Sequence, residues 1–212
     1  MGKVKTLFEY LDESVKKETK GILNVFDIDD TLFKTSSKIL IVKDGKTVRE
    51  LNSGEFNTYK LKSGEKYDFE QFRSGKHFYA TSKPIDNVIK RAQRAVGSET
   101  ENCKTIIITA RSDLNDKDVF LDKFREHGFP IDQVYVERAG NLQKLQPSAK
   151  VHITKGAVLM RYIKSGKFNK IRMWDDGVDN LKILLKLGEK YPQIKMEAYF
   201  VDEQGDTSRY TG

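Results

Sequence analysis

A single cysteine, Cys103, leaves no second thiol for an internal disulfide, which excludes a disulfide-stapled secreted scaffold and predicts a reducing compartment. Four prolines, and glycines without a repeating period, exclude a collagen-like rod or a proline-rich linker. Long apolar runs are missing as well. The longest, at 106–108 and 39–42, fall far short of the ~20 residues that cross a bilayer. The opening MGKVKTLFEY lacks the apolar stretch of a secretory leader. The protein is therefore expected in the cytoplasm, with no membrane partner. Its loose N-myristoylation match at 1–6 is of a kind frequent by chance. One further absence is local: from 138 to 172 there is no Asp or Glu, whereas nine Lys or Arg fall there.

What is present is a globular composition, 38% hydrophobic and 33% charged, with a length of 212 that allows one domain bearing a sizeable insertion or two small ones. The nine cations at 138–172 exceed the whole net charge of +7, so the remainder carries −2. A solvated helix face is one reading of this stripe. Attraction to nucleic acid or a phosphate ester is the other.

Periodicity predicts an amphipathic helix over 4–19, then a buried strand over 21–27 that ends in carboxylates. From 104 onward strands and helices alternate. Strands are expected at 105–109, 134–137, 171–174 and 197–201, and helices at 116–128, 154–165 and 178–190. That alternation predicts an α/β fold, a parallel sheet flanked by helices. Residues 33–83 break the rhythm. Asp44-Gly45 between two strand-like runs is a hairpin signal, and 54–79 shows no helical period, so a small β-rich insertion is expected. Pro84 should open a helix that returns to the sheet. The core then comprises 1–32 and 84–212, with the insertion hanging over the first strand's carboxyl end. The polar segment 202–212 reads as a loose tail.

Asp27, Asp29, Asp30 and Thr31 follow that first strand. Along an extended backbone Asp27 and Asp29 share a side, so two carboxylates can converge. A calcium loop starting at Asp27 fails, because its sixth and twelfth positions are Leu32 and Lys38. Helix capping explains one Asp but not three in four residues. Later strands end in Thr109, followed by Ala110-Arg111, and in Asp175-Asp176, with Asp179 four residues beyond Asp175. Lys155 is expected in the first turn of its helix, where a cation opposes the dipole by ~0.3–1 kcal/mol and calls for a reason.

In these positions the chain resembles the haloacid dehalogenase (HAD) superfamily of phosphohydrolases. DxDxT corresponds to Asp27, Asp29 and Thr31; the strand-ending Thr to Thr109; the Lys to Lys155; the acidic pair to Asp175 and Asp176. Stretches such as TARSDLNDKDVFLDKFREHGF and VYVERAGN also look like HAD proteins of tailed bacteriophages, which are similar in turn to the phosphatase half of polynucleotide kinase/phosphatases. The resemblance implies a Rossmann-like HAD core with a cap insertion after the first strand and, for a phage protein, residence in the host cytoplasm.

The implied chemistry is hydrolysis of phosphate monoesters, with nucleotides or polynucleotide ends as substrates. Asp27 would be the nucleophile, forming an aspartyl-phosphate, and Asp29 the general acid and base. Mg²⁺ would be held by Asp27, the Asp29 backbone carbonyl, Asp175 and Asp176, with Asp179 as a further candidate. Thr109 and Lys155 would steady the transferring oxygens, with Lys150 a second candidate lysine. Thr31 and Arg111 would contact substrate. A small-metabolite phosphatase, or a non-catalytic binder of a phosphorylated ligand, is the alternative.

Other residues invite weaker readings. His77, His127 and His152 share no metal-ligand spacing, and Cys103 reads as a small buried residue. Gly45-Lys46-Thr47 mimics the end of a phosphate loop, but Leu40 stands where glycine is needed. Trp174 reads as core. In the insertion Tyr67, Phe69, Phe72, Arg73, Phe78 and Tyr79 could stack bases, or form that subdomain's own core.

Overall fold

The computed structural model describes residues 21–145 and 150–212. The helix expected at 4–19 and the acylation match at 1–6 lie outside the described residues. Strand β1 (Gly21–Phe26) is buried along nearly all its length. A tight turn follows, in which the N–H groups of Thr31, Leu32 and Phe33 all point to the Ile28 carbonyl, and it leads to β2 (Phe33–Lys34). Then comes the hairpin β3 (Ile39–Lys43) and β4 (Lys46–Leu51). Its turn residues Asp44 and Gly45 have φ of 50° and 74°, the left-handed pair that a two-residue hairpin demands.

Between 53 and 81 lie α1 (Ser53–Thr58), β5 (Lys66–Asp68), α2 (Glu70–Arg73) and α3 (Gly75–Thr81). The three short helices correct the expectation of a helix-free stretch. Asn52 and Glu55 form a reciprocal capping box, and Ser74 accepts the His77 N–H. Helices of four to seven residues are too short to show a 3.6-residue period, and two of the three are held by side-chain caps. Strand β5 joins β3 to complete a three-stranded antiparallel sheet. Pro84 does not open a helix: β6 (Lys83–Pro84) pairs with β2, and α4 (Asp86–Gly97) starts two residues later.

The remaining order is β7 (Cys103–Thr109), α5 (Lys117–Glu126), a 3₁₀ turn (Ile131–Gln133), β8 (Tyr135–Arg138), α6 (Gly140–Leu145), α7 (Val151–Lys164), β9 (Phe168–Asp175), α8 (Val178–Lys190), β10 (Lys195–Val201) and β11 (Thr207–Tyr210). The segment expected as a tail thus supplies an antiparallel edge strand. The main sheet has order β11-β10-β9-β1-β7-β8, parallel except for β11. This is an α/β fold with helices flanking a mostly parallel sheet, consistent with a Rossmann-like architecture. The chain runs outward from β1 through β7 to β8, then crosses back to β9. The carboxyl end of β1 is therefore the switch point, where such sheets open a crevice.

Side-chain alternation divides the core into two layers. Phe26, Ile107 and Trp174 pack with Val88, Ile89, Phe120 and Phe124 on one face of the sheet. Leu23, Val25, Ile106, Ile108, Ile171 and Met173 pack with Val158, Leu159, Leu181 and Leu184 on the other. Trp174 is core, stacked between Phe26 and Tyr199 at 4.5 and 4.9 Å. Ile39, Ile41 and Leu51 form a separate small cluster against Phe56, Tyr59, Tyr67 and Phe72. Phe33 and Phe78 leave that cluster and bury in the first layer of the main core. Phe69 and Tyr79 remain partly exposed. No described helix is long and apolar enough to cross a membrane.

Candidate functional site

Strands β1 and β9 are neighbours with Phe26 opposite Trp174, so Asp27 and Asp175 leave the sheet side by side. Alternation turns both toward the layer that contains α7. From that helix Lys155, itself only 1% exposed, brings its ammonium 2.8 Å from Asp27 Oδ1 and 2.8 Å from Asp175 Oδ2. Because α7 begins at Val151, Lys155 stands at its fifth residue rather than in its first turn. The two carboxylates, and not the dipole, explain its position.

The other Asp175 oxygen accepts the Gly177 N–H (2.8 Å) and the Asn180 side-chain amide (2.7 Å). Among the described residues, buried Asp27 Oδ1 has no partner besides the Lys155 ammonium. Asp27, Asp175 and Asp176 each offer a carboxylate oxygen within 4.8 Å of the others. Three hard oxygens at one point suit a small divalent cation such as Mg²⁺.

Burial pushes the Asp27 carboxyl well above its usual range. The charges of Asp175, Asp176 and Asp29 add to this, and Lys155 opposes it. Asp176 is pushed up to about 7, first by burial and then by Asp175. Burial works against the Lys155 charge, but Asp175 and Asp27 outweigh it and hold the ammonium above its ordinary value. Excess negative charge at one buried point is what a bound cation would relieve.

The remaining expected site residues fall differently. Asp29 lies beyond the end of β1, in the tight turn, and its carboxylate does not join Asp27. It is forked by Arg111, whose Nε lies 2.9 Å from one oxygen and whose Nη2 lies 2.6 Å from the other. Arg111 is itself buried. Thr31 is likewise fully buried: its hydroxyl accepts the Asp176 N–H at 3.0 Å and donates to the Asp176 carboxylate at 3.4 Å, tying the β1 turn to the β9 turn. Most donors and acceptors of both side chains are engaged inside the protein.

Thr109 is buried at the end of β7, where its hydroxyl accepts the Arg111 N–H (3.1 Å). Asp179 stays outside the cluster, exposed and paired with Lys182. Lys150 is the exposed N-cap residue of α7, so Lys155 is the lysine in the site. Asn180, Ser37 and the Phe72 carbonyl carried no sequence signal for the site. Only the position of Asn180 near the start of α8, after an acidic strand end, could have drawn attention to it.

Four of the nine cations of the basic stripe are paired with carboxylates. Arg138 pairs with Asp113, Lys155 with Asp27 and Asp175, Arg161 with Glu137, and Arg172 with Glu197. The Lys144 side chain lies outside the described residues. No histidine joins a metal-ligating group among the described residues. Cys103 is half-buried, and its sulfur accepts from Asn24 at 3.8 Å. A scan against family models finds no match for this chain, and searches of curated proteins and of solved structures find none either.

Proposed function

We propose that the protein is a Mg²⁺-dependent phosphomonoesterase of the HAD type that acts on nucleotides or polynucleotide ends. The observation that carries this reading is the meeting of Asp27, Asp175 and Asp176 around Lys155 at the switch point of the sheet. When bound by Asp27, Asp175 and Asp176, a divalent cation supplies the positive charge that lets an anionic nucleophile approach an anionic ester.

Asp27 then attacks phosphorus with a carboxylate lone pair as the bond from phosphorus to the ester oxygen breaks. Asp29, entering this step as the neutral acid, gives its proton to the departing alkoxide and becomes a carboxylate. Water next attacks the aspartyl-phosphate and gives a proton to Asp29; the bond between phosphorus and Asp27 breaks, releasing phosphate and restoring the carboxylate. Lys155 offsets charge on the transferring oxygens, moving from its ground-state place between Asp27 and Asp175.

Phosphate release should be measured across small esters, mononucleotides and 3′- or 5′-phosphorylated oligonucleotides, with and without Mg²⁺. Release from at least one class only with the metal is expected. Asp27→Asn should abolish turnover while the protein stays folded, since it removes a buried and incompletely solvated charge. Asp29→Asn should cost ~10²- to 10⁴-fold. Undiminished release by Asp27→Asn would refute the assignment. A preference for sugar phosphates would redirect it to small metabolites, and tight phosphate-ester binding without release would make the protein a binder.

A further inference from the structure

Arg111 is buried to 1% exposure, 82 residues from Asp29 in the chain, yet three parts of the molecule meet on its guanidinium. Nε and Nη2 fork the Asp29 carboxylate. Nη1 donates to the Phe72 carbonyl in α2, where the insertion's small sheet and its cluster end (3.0 Å), and Nη2 reaches the Ser37 hydroxyl just before that sheet begins (3.4 Å). The rings of Phe72, Phe78 and Phe120 stand 5.2, 4.8 and 5.9 Å from its central carbon. Phe78 and Phe120 belong to the main core, and Phe72 to the insertion's small one. With four of its five N–H groups directed to protein acceptors and its faces walled by aromatics, Arg111 has little left for a substrate.

We propose that Arg111 is a positioning residue that sets the orientation of Asp29 and fastens to it both ends of the 37–72 segment of the insertion, so that seating this segment and aiming the proton donor are one event. The geometry favours this over a structural ion pair alone. A pair that only stabilised the fold would not need both a partner carboxylate two residues after Asp27 and its remaining donors on the two ends of the 37–72 segment. The proposal rests on the phosphohydrolase reading for the role of Asp29, but the fastening can be observed without any activity.

Two measurements test it. The first compares p-nitrophenyl phosphate, whose leaving group departs without help, with an alkyl phosphate or a 3′-phosphorylated oligonucleotide, whose leaving group needs a proton. Arg111→Gln should lower kcat for the alkyl ester by ~10² or more and for the aryl ester by less than about tenfold. Arg111→Lys should recover part of the loss. Adding Asp29→Asn to Arg111→Gln should cost little beyond Asp29→Asn alone, because one acts through the other. Equal losses on both esters, or losses that multiply in the double variant, would overturn the positioning role.

The second measurement is amide hydrogen exchange. Asp29→Asn and Arg111→Gln should each speed exchange across 37–73 by at least about tenfold and leave β9 and β10 unaffected. Unchanged exchange in both variants would overturn the fastening. If wild type hydrolyses no ester, the functional reading fails and the exchange result still decides the fastening. If Arg111→Gln fails to fold, Asp29→Asn and Arg111→Lys carry both tests.

Discussion

Asp27, Asp175 and Asp176 together face one buried ammonium, that of Lys155, so the site is short of positive charge where water can contribute least. The pH dependence of that deficit can be worked out from Asp176, whose carboxyl is raised from 3.8 to about 7. A carboxyl raised in the fold ionises first in the unfolded chain. Its contribution to stability is therefore intact below about pH 4, the unfolded value, and is lost as pH rises through about 7. A divalent cation held by these three carboxylates would cancel this loss. At a hundred times its Kd, Mg²⁺ stabilises by ~2.7 kcal/mol, or roughly 5–10 °C in Tm for a chain of this size. Thermal melts should show a larger Mg²⁺-induced shift at pH 8 than at pH 5, and Asp175→Asn should abolish it. Equal shifts at the two pH values would contradict the charge argument. The single tryptophan, Trp174, precedes Asp175 and offers a second readout through its emission during Mg²⁺ titration.

At the scale of elements, the insertion is seated by backbone as well as by Arg111. Gly75 opens α3 against the N-cap of α5: a Cβ there would lie 2.1 Å from the Asp116 carbonyl oxygen, a clash that no flexible side chain can relieve. Gly75→Ala should cost ~1–3 kcal/mol by overpacking, measurable as a fall in denaturation midpoint. Gly97→Ala, with nothing within 4 Å of the added methyl, should stay within about half a kcal/mol. The same elements show what a sequence can disclose. Strands β1 and β7 were legible because a strand covered on both faces must be apolar at almost every position. Ends of α5 and α7 were legible because Gly128 and Gly166 take left-handed φ of 67° and 66°, which stops a helix cheaply. The order of acidic strand ends likewise placed Asp27 and Asp175 together. Helices α1 to α3 were hidden because none exceeds seven residues, too short for periodic burial to show. The Asp29–Arg111 and Thr31–Asp176 contacts were hidden because they join residues 82 and 145 positions apart without any local pattern.

For the molecule as a whole, the question is whether the acid-free segment at 138–172 guides a polymer or merely balances carboxylates elsewhere. Folding spends Arg138, Lys155, Arg161 and Arg172 on Asp113, the two site aspartates, Glu137 and Glu197. Lys150, Lys164 and Lys167 stand exposed with no ion pair among the described residues. Lys150 caps α7 near the carboxyl edge of the sheet, while Lys164 ends the helix about 20 Å away toward the opposite edge. A single strand leading away from the site along α7 would meet these three cations, and single-stranded binding loses roughly 0.7 of a logarithmic unit per phosphate neutralised for each tenfold rise in salt. Affinity for a phosphorylated oligonucleotide should then fall with a log–log slope near −2 by the same rule, and a mononucleotide should give a clearly shallower one. Lys164→Ala with Lys167→Ala should flatten the oligonucleotide slope by roughly 1.4 and leave p-nitrophenyl phosphate hydrolysis unchanged, since neither lysine touches the site. If the slope survives the double substitution, the polymer does not follow α7. If oligonucleotide and mononucleotide slopes coincide from the start, only the terminal phosphate is held, and the concentration of cations in the sequence serves to offset Asp113, Glu137 and Glu197.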